Sequence, residues 1–173
     1  MDTIALNQDI KTDLENAFGT LTSLLDDLSE DQLNIVPFEG SWTAGQVADH
    51  LQQSYSIIKM MHGNTIATER AVLEKVDSLK SIFLNFDKKL KSPDFIIPSN
   101  EPFIKVELLG KLKAKAHKIT QFAQAEDLSL TCTDYEFPGF GAMTRIEWLH
   151  FIVFHTQRHT HQLRNIIKAL NVE

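Results

Sequence analysis

Apolar residues recur at three- and four-residue steps along most of the chain, which is the spacing of amphipathic α-helices. The first apolar stripe predicts a helix over residues 3–28, and the second predicts one over 43–62. Further stripes indicate helices over 66–91 and 103–125. The last predicted helix covers 144–170 and contains neither glycine nor proline. The pattern therefore predicts an all-α fold.

Two of these helices begin with a capping-box pattern. Thr43 is followed three residues later by Gln46, and Thr144 is followed three residues later by Glu147. In this arrangement the hydroxyl and the longer side chain each accept a hydrogen bond from the other residue's backbone N–H. The two patterns fix the predicted starts of the second and last helices.

The connections on either side of the third main helix, 103–125, are long. Pro93 and Pro98 interrupt any helix before it, and residues 131–141 after it are rich in proline, glycine and β-forming residues. We therefore predict a four-helix bundle with crossover connections rather than tight hairpins. The 173 residues contain no internal repeat and no recognisable linker, so we expect a single domain over residues 1–173.

Charge and cysteine content narrow the function classes. Acidic residues outnumber basic ones 23 to 17, which gives a net charge of −6 and argues against a nucleic-acid partner. The N-terminus lacks a signal-peptide pattern, and no apolar stretch approaches the roughly 20 residues that span a bilayer, so we expect a cytoplasmic protein with no membrane partner. Cys132 has no second cysteine to pair with. We expect an inert thiol, because Asp134 and Glu136 are close in sequence and would raise its pKa.

Four of the seven histidines lie in the last predicted helix. At about 100° per residue, His155 and His159 share its apolar stripe, whereas His150 and His161 lie on other faces. Three apolar residues and one glutamine share the stripe with the inward pair: Trp148, Ile152, Ile166 and Gln162. The pattern predicts that two imidazoles point into the bundle one helical turn apart.

An inward histidine pair at this spacing can bind one metal ion. His50 lies on the apolar stripe of the second helix and is the natural third ligand. A zinc-type site with three histidine ligands and one open coordination position is typical of catalytic rather than structural sites. The alternative is that these are core histidines hydrogen-bonded to neighbours. Gln162 would orient an imidazole or bound water, or would be a buried glutamine bonded to backbone.

The remaining candidates have simpler interpretations. We expect His150 and His161 at the surface or at an interface, and His62 and His117 in solvent. Tyr55 could border the site, whereas Asp49 is a poor general-base candidate because it points about 100° away from His50. Packing roles are expected for Trp42 and Trp148, and a solvated helix face for Lys111, Lys113, Lys115 and Lys118.

Three short motifs together resemble the DinB-like superfamily of metal-dependent enzymes. The run HTQRHTHQ at 155–162 resembles its H-x-x-x-H-x-x-Q signature. The run SWTAGQVADHL at 41–51 resembles its earlier element, in which a histidine follows a W-[ST] helix start. The run GAMT at 141–144 also fits. The order and spacing of the motifs extend the resemblance over about residues 5–170.

The resemblance implies a four-helix bundle with an unusual crossover topology, often a homodimer, with a divalent metal held by His50, His155 and His159. Relatives include bacillithiol S-transferases, a mycothiol-dependent isomerase and metal-dependent hydrolases. We therefore expect an enzyme that activates water or a low-molecular-weight thiol against a small-molecule substrate, with zinc or nickel favoured. Two alternatives stay open. One is a non-catalytic metal-stabilised bundle acting in binding or sensing, and the other is a pH-responsive dimer built on His150 and His161.

Overall fold

The protein is described by a computed structural model that covers residues 3–171, with the backbone alone for residues 3–6. Seven α-helices and a two-stranded antiparallel sheet are present in this part of the chain. Short 3₁₀ turns lie at Tyr55–Ile57 and Asp94–Ile96. In chain order the elements are α1 (Thr3–Asp26), α2 (Glu30–Asn34), α3 (Ala44–Ser54), α4 (Ile58–Met61), β1 (Thr65–Ile66), α5 (Val76–Phe83), α6 (Lys105–Ala125), β2 (Thr131–Cys132) and α7 (Arg145–Leu170).

The helices α1, α3, α6 and α7 form a four-helix bundle. Helix α1 packs against α6 and α7, and α3 packs against the same two helices. The consecutive helices α1 and α3 are therefore not neighbours, and α6 and α7 touch only slightly. Of the consecutive pairs in the bundle, α3 and α6 pack side by side, whereas the steps from α1 to α3 and from α6 to α7 cross the bundle. These two steps agree with the predicted crossover connections, because a tight hairpin would place its two helices side by side. Within residues 3–171, no helix is both long enough and apolar enough to cross a membrane.

The core lies between these four helices and is closed by side chains at helical spacing. Trp148 of α7 is completely buried. Other large side chains that are fully buried come from each of the other three bundle helices: Leu14, Leu21, Leu25, Leu51, Leu112 and Ile119. The apolar stripes read from the sequence are thus the surfaces that the helices bury.

Both predicted capping boxes are present. Thr43 and Gln46 exchange hydrogen bonds at the start of α3, and Thr144 and Glu147 do the same at the start of α7. A third box, formed by Ser29 and Gln32, starts the short helix α2, which the sequence pattern did not predict. As a result the first predicted helix ends at residue 26 rather than at 28.

The predicted helix over 66–91 is wrong for most of its length, because only Val76–Phe83 is helical. Tertiary contacts fix the first part of this segment in an extended form. Strand β1 pairs with β2, and the Thr68 hydroxyl donates to the Ser129 carbonyl at 2.6 Å. Phe86 has the spacing of the apolar stripe that predicted this helix, but its side chain is 45% exposed. The apolar residues of this segment therefore pack from several turns and one short helix, and their spacing does not come from a single long helix.

Two other helix predictions need smaller corrections. The predicted helix 43–62 is divided into α3 and α4 by the 3₁₀ turn. Helix α6 begins at residue 105 rather than 103, because the Asn34 side chain bonds both backbone groups of Phe103 in an extended segment. Val106 has the spacing of the apolar stripe that predicted this helix, but its side chain is 78% exposed.

Candidate metal centre

The structure brings His50, His155 and His159 together inside the bundle. His50 lies on α3, and the other two histidines lie one turn apart on the neighbouring helix α7. Nε2 of His155 lies 3.1 Å from Nε2 of His50 and 3.1 Å from Nε2 of His159. One ligand atom from each imidazole lies within 4.8 Å of those of the other two. We call these three residues the histidine cluster.

The outer nitrogens of two imidazoles have acceptors. Nδ1 of His50 donates to the backbone carbonyl of Ile96 at 2.9 Å, and Nδ1 of His159 donates to Oε1 of Gln162 at 2.8 Å. A carbonyl oxygen can only accept, so the proton of each neutral ring lies on Nδ1 and the lone pair on Nε2. Both lone pairs therefore point toward His155.

This arrangement of nitrogens fits a bound cation. A neutral His155 has one ring proton, and that proton could satisfy only one of the two lone pairs that face its Nε2. A divalent ion accepts lone pairs from all three imidazoles, and imidazole suits zinc, nickel, copper and iron. Partners on the second ring nitrogen are what metal-binding histidines ordinarily have. The donor set thus agrees with the metal site expected from the sequence.

Burial keeps the cluster neutral. His50, His155 and His159 are 2%, 7% and 9% exposed. Burial lowers the pKa of His50, and it lowers the pKa of His159 to about 3, with repulsion from His50 adding to the effect. The pKa of His155 lies well below its usual value, through burial and then repulsion by His159 and His50. All three imidazoles are therefore in the neutral form that metal binding requires.

Aromatic rings surround the cluster. Trp42 lies parallel to His159, with ring centroids 6.2 Å apart, and 5.2 Å from His50. Phe151 stacks on His155 at 5.2 Å, and Phe83 meets the same ring edge-on at 5.9 Å. The sequence pattern assigned Trp42 to packing and did not place the two phenylalanines at the site. Phe151 precedes His155 by four residues, which is a signal that helical spacing offered.

The segment from residue 83 to 97 closes one side of the site. Arg158, next to the cluster on α7, donates to the carbonyls of Phe83, Asn85 and Lys88. Near the other end of the segment, Oγ of Ser92 lies 3.4 Å from Nδ1 of His50. The segment is therefore attached to both helices that supply the histidines.

Asp49, the neighbour of His50 in sequence, holds a loop. Its carboxylate accepts hydrogen bonds from the side chains of Gln52 and Gln53 and from the backbone N–H of Ser99. These bonds fix the residues that follow Ile96 against α3. The carboxylate of Asp49 therefore positions this loop through its hydrogen bonds. This agrees with the sequence prediction that it is a poor general-base candidate.

Tyr55 is bonded to Thr156, the residue that follows His155 on α7. Its hydroxyl lies 2.7 Å from Oγ1 of Thr156, and the side chain is only 1% exposed. Cys132 is also buried, and burial, with a smaller contribution from Asp134, raises the pKa of its thiol to about 11. This agrees with the prediction of an inert thiol.

The other histidines lie outside the cluster. His62 and His117 are exposed, as predicted. His150 and His161 are half-buried at the surface, where His150 stacks on Phe154 and His161 stacks on Phe86. Of the lysines predicted to form one solvated face, Lys113 pairs with Asp26 and Lys115 is half-buried.

Comparison with known proteins identifies the family. The sequence model of the DinB superfamily matches residues 13–163, which is most of the chain. The chain belongs to the DinB superfamily. The chain is also similar to the uncharacterised protein YuaE of Bacillus subtilis strain 168, with 24% identity over 143 residues. That match covers 80% of this chain and 85% of YuaE.

A solved structure has the same fold. It is YfiT from Bacillus subtilis, described as a probable metal-dependent hydrolase with an unusual four-helix bundle topology. The likeness has a TM-score of 0.60 and covers 95% of this chain and 87% of YfiT, with 20% sequence identity. The predicted DinB-like bundle is thus confirmed by both the family match and the fold.

Proposed function

We propose that the chain is a divalent-metal-dependent enzyme whose ion is held by His50, His155 and His159. The observation that carries the proposal is the convergence of three Nε2 atoms while two Nδ1 protons are held by Ile96 and Gln162. A divalent ion with three histidine ligands keeps a position for water or substrate and lowers the pKa of a bound water or thiol. The reaction class is hydrolysis or transfer of a low-molecular-weight thiol.

The chain's own residues orient the ligands and limit water around them. The Ile96 carbonyl and Gln162 fix the directions of two imidazoles. Trp42, Phe83 and Phe151 cover the outer sides of the rings with apolar surface. A low-dielectric wall of this kind strengthens electrostatic interactions inside the site.

Hydrolysis and thiol transfer have different supports. The description of YfiT as a probable metal-dependent hydrolase favours hydrolysis. Thiol transfer is favoured by the resemblance of the histidine motifs to bacillithiol- and mycothiol-dependent enzymes. Zinc and nickel are the favoured ions, since imidazole suits both and both bind tightly in the divalent series.

The test loads the metal-free protein with zinc or nickel and screens it for binding and turnover. A thermal-shift screen uses bacillithiol, mycothiol, glutathione and coenzyme A, and an activity panel uses esters, amides and thiol acceptors. The proposal expects turnover that chelation abolishes and the same ion restores. The control is His117→Ala, which alters an exposed histidine on α6. Turnover that persists in the His155→Ala variant would refute the proposal.

A non-catalytic, metal-stabilised bundle that acts in binding or sensing is the second candidate. It is favoured by the composition of the cluster, since no carboxylate joins the three histidines in the part of the chain that the structure describes. This candidate expects a large drop in melting temperature on chelation and no turnover on any substrate of the panel. The enzyme proposal expects turnover on at least one of them.

We also propose that the protein works as a homodimer on a small-molecule substrate. The support is the resemblance of its motifs to a family in which homodimers are common. Sedimentation equilibrium of the metal-loaded protein is expected to give twice the chain mass of 19.7 kDa. A monomer mass at micromolar concentration would reject the dimer without affecting the metal site.

A further inference from the structure

A second concavity lies outside the histidine cluster, between α4 and α6. Its volume is about 470 Å³, and none of its lining residues belongs to the cluster. We call it the lysine groove and define it by three cationic and three apolar side chains: Lys59, Lys115, Lys118, Ile58, Phe122 and Ala125.

The groove concentrates positive charge on an acidic protein. Three ammonium groups line it, although the chain carries a net charge of −6. Lys59 and Lys118 are exposed, and neither has an ion-pair partner among residues 3–171. Burial lowers the pKa of Lys115, and repulsion by Lys59 and by Lys118 adds to this effect. An anion placed between these groups would relieve that repulsion.

Lys115 is a fixed charge at the back of the groove. Its Nζ donates to the Gln52 carbonyl at 2.7 Å, to Oε1 of Gln52 at 2.7 Å and to Oγ of Ser56 at 2.8 Å. An ammonium group has three donors, so all of them are used within the protein. Within the described residues, the ammonium groups of Lys59 and Lys118 donate no hydrogen bond, so they can donate to a ligand, while Lys115 contributes its charge.

The floor of the groove is apolar, the polar residues Ser56, His62 and Gln121 complete its lining, and its one acidic side chain is paired with an arginine. Ile58 and Phe122 are 7% and 3% exposed and form the floor. Glu126 lines the groove but pairs with Arg145 at 3.2 Å. His62 packs edge-on against Phe122 at 4.7 Å. A ligand with an anionic head and a hydrocarbon body would therefore meet matching surfaces at both ends.

We propose that the lysine groove binds a small amphiphilic anion. Its carboxylate or phosphate head lies between Lys59 and Lys118, and its hydrocarbon body lies on Ile58 and Phe122. The volume is within the usual range of small-molecule sites, roughly 300–1,000 Å³. The site does not depend on the metal, because its residues and its charges are separate from the histidine cluster.

The test is a titration of the full chain with octanoate and octyl phosphate, followed by calorimetry and by methyl NMR of the isoleucines and alanines. The two probes distinguish a carboxylate head from a phosphate head. Octanol and inorganic phosphate test the hydrocarbon and the charge separately. We expect saturable binding of an anionic probe, with shifts at Ile58 and Ala125, and binding of octanol and phosphate at least tenfold weaker.

A double variant, Lys59→Gln with Lys118→Gln, is expected to weaken binding of the anionic probe at least tenfold. The matched control is Lys80→Gln with Lys168→Gln, which removes the same charge at exposed positions of α5 and α7 and leaves binding unchanged. Because all four lysines are exposed, both variants should fold.

Several outcomes would overturn the proposal. The first two are equal affinity of the two double variants for the anionic probe, and NMR shifts confined to methyl groups other than those of Ile58 and Ala125. The other two are equal binding of octanol and octanoate, and no binding of either anionic probe at millimolar concentration. A halved sedimentation mass of the groove variant alone would instead make the groove a subunit interface, which also overturns it. None of these readouts uses the metal or enzyme activity, so this test and that of the proposed function fail separately.

Discussion

Oε1 of Gln162 accepts a hydrogen bond from Nδ1 of His159 at 2.8 Å, and this bond directs Nε2 of the ring toward His155. Gln162→Leu removes the acceptor and frees the ring to change its tautomer. We expect the zinc affinity to fall about 10- to 100-fold, the usual effect of losing such a partner. A competition titration with a chromophoric chelator measures the change.

Two further variants sharpen the test of Gln162. Gln162→Glu keeps an acceptor for the same proton and should retain most of the affinity. Asn165→Leu changes an exposed amide one turn away on α7 and should have no effect. An unchanged zinc dissociation constant in Gln162→Leu would show that the hydrogen bond does not orient the ligand.

Glu147 is the most connected carboxylate in the described structure. It is completely buried, and it accepts hydrogen bonds from both terminal nitrogens of Arg70 and from the backbone N–H groups of Lys75 and Thr144. Glu147→Gln removes the carboxylate charge that pairs with Arg70 at 2.6 Å and leaves Arg70 only its longer, exposed contact with Glu74. The Arg70 side chain is 23% exposed and can still be solvated, so we expect the free energy of unfolding to fall by about 1.5–3 kcal/mol, the scale of hydrogen bonds to a charged group. Urea unfolding measures it.

The control for Glu147 is Glu74→Gln. Glu74 contacts the same arginine at 3.9 Å, but its side chain is 53% exposed. An exposed pair of this kind contributes about 0–1 kcal/mol, so this variant should be nearly neutral. Similar losses in the two variants would contradict the assignment of Glu147 as the structural partner of Arg70.

Glu147 also predicts a loss of stability in acid. Burial acts to raise the pKa of Glu147, but the hydrogen bonds from Arg70, Thr144 and Lys75 outweigh it and hold the pKa below its usual value. The unfolded chain then takes up the proton first, at a pKa of about 4.3, so the contribution is complete above this pH and is lost as the pH falls through the lower folded value. Unfolding curves at pH 7, 4 and 3 should show a steeper acid loss in the parent protein than in Glu147→Gln. Parallel curves would contradict this prediction.

The bond between Tyr55 and Thr156 predicts stabilisation without a role at the metal. Tyr55→Phe removes a buried hydroxyl that lies 2.7 Å from Oγ1 of Thr156. We expect the free energy of unfolding to drop by about 1 kcal/mol, as for a typical hydrogen bond, with the metal content unchanged. Loss of bound metal in this variant would instead place Tyr55 at the site.

The parts of the fold that could be predicted are those in which local signals agree. Helix α7 has a capping box at Thr144 and an uninterrupted apolar stripe, so its start and the inward direction of His155 and His159 followed from spacing alone. The segment 66–91 has a similar stripe. Its extended part is fixed by β2 and Ser129, which are distant in sequence and invisible to a local pattern.

The three histidines of the cluster could be predicted from the sequence, but the groups that surround and orient them could not. The Ile96 carbonyl orients His50 through a backbone atom, which no residue type signals. Trp42 precedes the cap residue of α3, and its contact with His159 arises only when α3 packs against α7. Helix periodicity was therefore enough to predict which residues are the ligands. Their orientation could not be predicted, because it depends on contacts between elements that are distant in sequence.

The metal content of the protein is the most direct test of the central claim, that the three histidines hold one divalent ion. Protein stripped with a chelator is reloaded with zinc or nickel, dialysed and assayed by mass spectrometry of the metal. We predict about one ion per chain in the parent and in His62→Ala and His117→Ala, whose histidines are exposed, and near-complete loss in His50→Ala, His155→Ala and His159→Ala. Unchanged metal content in the three cluster variants would contradict the account.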